Sequence, residues 1–156
     1  MRNGLALSHL VVCLFVAIGT LQAQQDPLAG TWRLNVAKSQ FGGSARSTQV
    51  TKLESIPNGL KSTSDTTSPQ GGSAHTEYTA YFDGKDYPLT GDAAGSTISL
   101  KRIDARTMDL TTKRNGSVYR TSRWTVSADG RTLTRTQKVV DAQGRETSNV
   151  LVYDKQ

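Results

Sequence analysis

Residues 117–140 read SVYRTSRWTVSADGRTLTRTQKVV, and this stretch sets the architecture. β-Branched and aromatic residues alternate with polar ones on both sides of Asp129-Gly130, a dipeptide that takes up positive φ cheaply and so closes a hairpin. A second such pair, Asn115-Gly116, stands directly in front of it. Side chains alternate between the faces of a strand, so Val118, Trp124 and Val126 share one side with Arg120 and Ser122 between them. If that side points inward, Arg120 lies in the interior. The hairpin has two possible registers. A two-residue Asp129-Gly130 turn pairs Val126 with Leu133 and Trp124 with Arg135, setting a cation over an indole. A three-residue loop with a bulge turns Leu133 and Arg135 to the other face. The match of apolar partners prefers the first.

The same pattern extends in both directions. Turn signals recur at Pro57-Asn58-Gly59, Gln70-Gly71-Gly72, Asp83-Gly84 and Gln143-Gly144. Strands are expected near 30–36, 47–56, 59–67, 75–82, 86–90, 96–103, 107–113, 117–127, 131–140 and 146–153. Tyr78, Ala80 and Phe82 share a face, as do Ile98 and Leu100. Downstream of Leu28 no stretch carries a helical period of 3.6. Short strands at such even spacing, joined by tight turns, predict an all-β fold: an antiparallel up-and-down meander β-barrel of about 8–10 strands.

Composition agrees once the first 23 residues are set apart. They hold 15 of the 55 apolar residues, leaving 40 among the remaining 133. Arg2 followed by the apolar run Leu10 to Ile18 and by Leu21-Gln22-Ala23 is expected to be a cleaved secretory signal, because a run this short does not span a bilayer of ~30 Å. Residues 24–156 then form a single domain, exported to the periplasm or beyond. Cys13 sits inside the apolar run, so the exported domain contains no cysteine and no disulfide. Few aliphatics and 33 Ser or Thr in 133 residues suit a small barrel with a partly polar interior. Residues 96–156 carry twelve basic and six acidic groups, but the signs interleave, which describes a solvated face better than a polyanion-binding one.

The segment Pro27-Leu28-Ala29-Gly30-Thr31-Trp32-Arg33-Leu34 resembles the opening of calycin barrels, the lipocalins and fatty-acid-binding proteins. In those families a G-x-W strand sets its Trp as a plug in one barrel end. The chain from about Gln24 onward also resembles a group of small exported bacterial proteins described only as lipocalin-like. Gly30 to Asn35, Ala37-Lys38-Ser39, Tyr81 to Pro88, Ser99 to Asp104 and Val152-Tyr153-Asp154-Lys155 carry that likeness. The resemblance implies a lipocalin-like barrel that binds a small molecule. Two departures stand against a direct transfer of ligand. The Arg-x-Tyr pair of the fatty-acid-binding proteins is Leu151-Val152-Tyr153 here, and the loop after Phe41 is too glycine-rich for their helical lid. Lipocalins set a late Arg over the G-x-W Trp, a place that Arg135 or Arg145 could take.

Catalytic and metal chemistry finds little material. His75 is the one histidine after the signal, it lies beside a Gly-Gly turn, and no G-x-S-x-G partner exists. Asp83, Asp129 and Asp141 are turn residues whose carboxylates bond their own backbone. No catalytic residue, metal site or cofactor is expected, and aromatics are too scattered for a nucleic-acid platform. The expected function is binding of a small hydrophobic or amphipathic ligand, anionic in one version, by a monomer. Trp32, Tyr78, Phe82, Leu100, Arg120, Trp124 and Arg135 are the candidate ligand-binding residues. The alternative is an envelope interaction module with a side-chain-filled barrel whose basic surface meets polyanions.

Overall fold

The computed structural model describes residues 25–42 and 46–156, so the expected signal at 1–23 lies outside the described residues. Ten strands follow one another: β1 (Gly30–Leu34), β2 (Thr48–Ile56), β3 (Gly59–Thr67), β4 (Ser73–Tyr81), β5 (Tyr87–Pro88), β6 (Ser96–Arg102), β7 (Thr107–Arg114), β8 (Ser117–Val126), β9 (Thr132–Val140) and β10 (Glu146–Lys155). Each coincides with an expected strand to within two residues at its ends. All pairings are antiparallel, in the order β4-β3-β2-β1-β10-β9-β8-β7-β6-β5. Between the outer strands β4 and β5 the sheet meets itself through one bridge, Glu77 with Thr90, made of two backbone hydrogen bonds of 3.1 and 2.9 Å. The result is a nearly closed barrel. The one helical turn among the described residues, Val36–Lys38, is a short 3-10 segment that Asn35 caps through its side chain.

Turn chemistry sets the register. Asn115 (φ 48°) and Gly116 (φ 79°) both occupy the left-handed region, as a two-residue hairpin between Arg114 and Ser117 requires. At the next hairpin Val126 does pair with Leu133 and Trp124 with Arg135. The turn that achieves it is wider than two residues: Gly130 N–H donates to Ser127 O, and Ser127 N–H to Thr132 O. Asp83, Asp129 and Asp141 each accept from a backbone N–H two residues on.

Polarity changes along the barrel axis. One end is closed by Leu28, Trp32, Leu53, Leu60, Met108 and Leu133, all 1% exposed or less. Trp32 Nε1 donates to Leu28 O at 3.0 Å, so the indole lies across that end with its polar atom satisfied. Arg102 reinforces it, donating twice to the Asp26 carboxylate at 2.6 and 2.7 Å and lying over the Phe82 ring. Toward the other end the inward positions turn hydroxylic. On β3 the inward series runs Leu60, Ser62, Ser64, and on β7 it runs Met108, Leu110, Thr112. On β8 it runs Val126, Trp124, Ser122, and Arg120 follows. Half of the interior is a dry core; the other half is lined for contact with polar matter.

Candidate functional site

The polar half holds a cavity of about 170 Å³ that opens toward the end carrying the Asn115-Gly116 turn. Four of the seven expected ligand-binding residues line it: Tyr78, Arg120, Trp124 and Arg135. The other three do not. Trp32 plugs the closed end, Leu100 is fully buried in the dry core beneath, and Phe82 packs against that core under Arg102. Their apolar side chains follow the axial change in polarity and stay in the half without a cavity.

Arg135 is 8% exposed, and its guanidinium carbon lies 5.2 Å from the Trp124 ring centre, as the hairpin register implies. Trp124 in turn stacks on Tyr153, whose hydroxyl donates to Gln49 Oε1 at 2.6 Å. Nothing in the described residues partners Arg135 Nε, and no carboxylate there pairs with Arg135 or Arg120 within 4 Å. Tyr78 Oη faces Ser62 but completes no hydrogen bond. Burial raises the Tyr78 pKa above the ordinary tyrosine value, against the pull of Ser62, Arg135 and Arg120, so the phenol keeps its proton and can donate. Burial, followed by repulsion from Arg135, lowers the Arg120 pKa below the usual arginine value. Its Nε lies 3.4 Å from Thr112 Oγ1 and one Nη 3.3 Å from Tyr119 Oη.

Tyr119, Asp92 and Arg114 complete the mouth and were not legible as a site. On β7 and β8 the pairing slips between Thr112, opposite Arg120, and Lys113, opposite Val118, so Tyr119 is an extra residue in a β-bulge. This corrects the expected face of Val118, which is 50% exposed rather than inward. The same bulge brings consecutive residues Tyr119 and Arg120 to the cavity. Asp92 reaches across from the β5–β6 loop, accepting from Tyr119 Oη and, at 2.7 Å, from Arg114. Burial would raise the Asp92 pKa, but Tyr119, the Ala93 N–H and Arg114 outweigh it and lower it overall. Gly91 makes this approach possible: its φ is +79°, and a Cβ there would sit 1.8 Å from His75 O on β4.

A second correction concerns the cation over Trp32. Lys155, on β10, places Nζ 5.0 Å from that ring. Arg135 serves Trp124 instead, and Arg145 sits in the β9–β10 turn paired with Asp141. Lys155 reaches this place because it is paired in register with Trp32. His75 lies exposed on β4 against Asp65, away from the cavity. No group of three potential metal ligands occurs among the described residues. No helix there is long and apolar enough to cross a membrane.

No protein-family model matches the chain, and neither does any curated protein sequence. Solved structures do. Zebrafish ileal bile acid-binding protein, in complex with cholic acid, superposes with a TM-score of 0.50 at 11% identity, over 83% of this chain and 99% of its own. The siderocalin Ex-FABP overlaps more loosely, at a TM-score of 0.39 and 11% identity over 83% of this chain and 71% of its own. The ten-strand antiparallel meander, its nearly closed wall and the G-x-W tryptophan across one end, with the first of these likenesses, make the fold calycin-like.

Proposed function

We propose that this chain is an exported small-molecule binder whose ligand presents an anionic group to Arg135 and Arg120 inside the barrel. One observation carries the proposal: a nearly buried guanidinium, Arg135, faces unfilled space with its Nε unpartnered and no carboxylate beside it. An uncompensated buried charge costs several kcal/mol, and a bound anion removes most of that cost. Capture of cholic acid by a protein of similar fold supports a small-molecule ligand. Binding rather than catalysis is the reading for this site, because Asp92 is the one carboxylate among the residues lining the cavity and it is held by Tyr119 and Arg114.

The polyanion-binding alternative has less support. Arg123 pairs with Asp109, Lys113 with Asp86, Lys138 with Glu146 and Arg145 with Asp141, so much of the basic half is matched locally. Native mass spectrometry of the exported protein from its own host tests the proposal, alongside tryptophan emission during titration with small carboxylates. A released anionic adduct, or a saturable change in emission lost in Arg135→Met, is expected. An adduct-free protein whose emission no carboxylate alters would refute it.

A further inference from the structure

The cavity holds two separate cationic stations, and their spacing specifies more than the presence of an anion. Arg135 is level with Trp124, whereas Arg120 is level with Val139, four residues further along β9 toward the mouth. That offset is about 13 Å of strand. The Arg135 head stays over Trp124, and the Arg120 head stays with Thr112 and Tyr119. Two carboxylates joined by a few carbons give each head its own anion, where a single carboxylate would have to be shared between them.

Charge and volume point the same way. Three arginines and one aspartate line the cavity, and Asp92 already holds Arg114, which leaves two positive charges without a counter-charge. At about 170 Å³ the space is close to that of a dry cavity that takes up benzene (~150 Å³). It is well below the ~300–1,000 Å³ of pockets for drug-sized ligands. Leu100, Met108 and Leu133 beneath the cavity are wholly buried and packed, so these residues floor the cavity where a long tail would have to pass. The walls offer hydroxyls of Ser62, Ser64, Thr112 and Ser122, with Tyr78 Oη unengaged, and these suit carboxylate oxygens better than an alkyl chain.

Resting on the anion-binding reading above, we propose that the ligand is a compact dianion, a short α,ω-dicarboxylate, with one carboxylate at Arg135 and the other at Arg120. It is neither a long-chain fatty acid nor a bile acid.

Isothermal titration calorimetry of the protein from Gln24 to its end tests this with succinate, glutarate, butyrate, laurate and inorganic phosphate. Succinate or glutarate is expected to bind at least tenfold more tightly than butyrate. Arg135→Met and Arg120→Met, checked for folding by near-ultraviolet circular dichroism, should each reduce the dicarboxylate to the butyrate level. The wild-type ranking stands by itself if a variant fails to fold. Equal affinity for butyrate and succinate would overturn the two-station arrangement. Tighter binding of laurate or of phosphate would overturn the dicarboxylate. In each of those three outcomes an anion still binds, so the broader proposal survives. Absence of heat with every probe would overturn both.

Discussion

Replacing Arg135 with Met should make the ligand-free protein more stable, which is the opposite of the usual result for a nearly buried residue. The guanidinium is 8% exposed, and its unpartnered Nε represents a lost hydrogen bond of roughly 1–3 kcal/mol. Against this, its position over Trp124 at 5.2 Å contributes about 0.5–2 kcal/mol. Methionine keeps the aliphatic stem in place, and its sulfur retains an aromatic contact worth ~0.3–1.5 kcal/mol. Relief of charge burial then decides the sign, since apolar replacement of buried ionic groups is often neutral or stabilising by ~1–4 kcal/mol. The expected balance is a gain of about 1–2 kcal/mol, or a rise in Tm of roughly 4 °C per kcal/mol for a domain of this size. Urea unfolding followed by tryptophan emission reads it directly: the midpoint rises while the slope m is unchanged. A midpoint lowered by the equivalent of 2 kcal/mol at constant m would show that Arg135 is a structural member of the barrel wall, and the anion station would have no basis.

Truncating the plug, Trp32→Ala, should cost about 3–5 kcal/mol in urea unfolding, because the side chain is fully buried and hydrogen-bonded; a loss below 1 kcal/mol would mean that the closed end does not anchor the fold. Gly91→Ala forces a non-glycine residue to φ +79° and its Cβ into His75 O, so a loss of roughly 1–3 kcal/mol is expected, with faster hydrogen exchange at the Glu77 and Thr90 amides; unchanged exchange there would refute its role in closing the wall. Burial raises the Asp26 pKa, but the two bonds from Arg102 and the Leu28 N–H outweigh it and leave the carboxyl below its ordinary 3.8. A depressed folded-state value contributes stability above the unfolded value that is lost as pH falls through the folded one. Asp26→Asn should therefore lower stability at pH 7 by about 1–3 kcal/mol and flatten the decline of Tm below about pH 4; an undiminished acid slope would exclude this pair as its source.

Much of the fold was legible because hairpins announce themselves locally. Asn115-Gly116 and Asp129-Gly130 bring positive φ to the chain at little cost, and each strand then takes its partner from its neighbour in sequence. The pairing of Trp124 with Arg135 followed from that register alone. Period-two reasoning fails where the period is broken, and the bulge at Tyr119 breaks it: Val118 turns outward while Arg120 stays inward. No residue type in SVYR marks an extra residue in a ladder. Asp92 is illegible in sequence for a different reason, because it sits in a loop whose approach to β8 depends on how the barrel closes. Ser62, Ser64 and Thr112 look like ordinary strand residues in sequence, and only their shared depth in the barrel shows them as a lining.

The axial change in polarity separates two demands that most binding proteins place on the same side chains. Leu53, Leu60, Met108 and Leu133 belong to the buried apolar cluster and line no part of the cavity, so they answer for persistence of the fold. Ser62, Ser64, Thr112 and Ser122 line space instead, and small residues there can be exchanged without opening a void in the dry half. A chain built this way can drift toward a different solute by substitutions on the mouthward rungs of three strands while its melting behaviour stays nearly constant. Relatives that diverge in what they carry would then differ first at those rungs, and agree longest around Trp32.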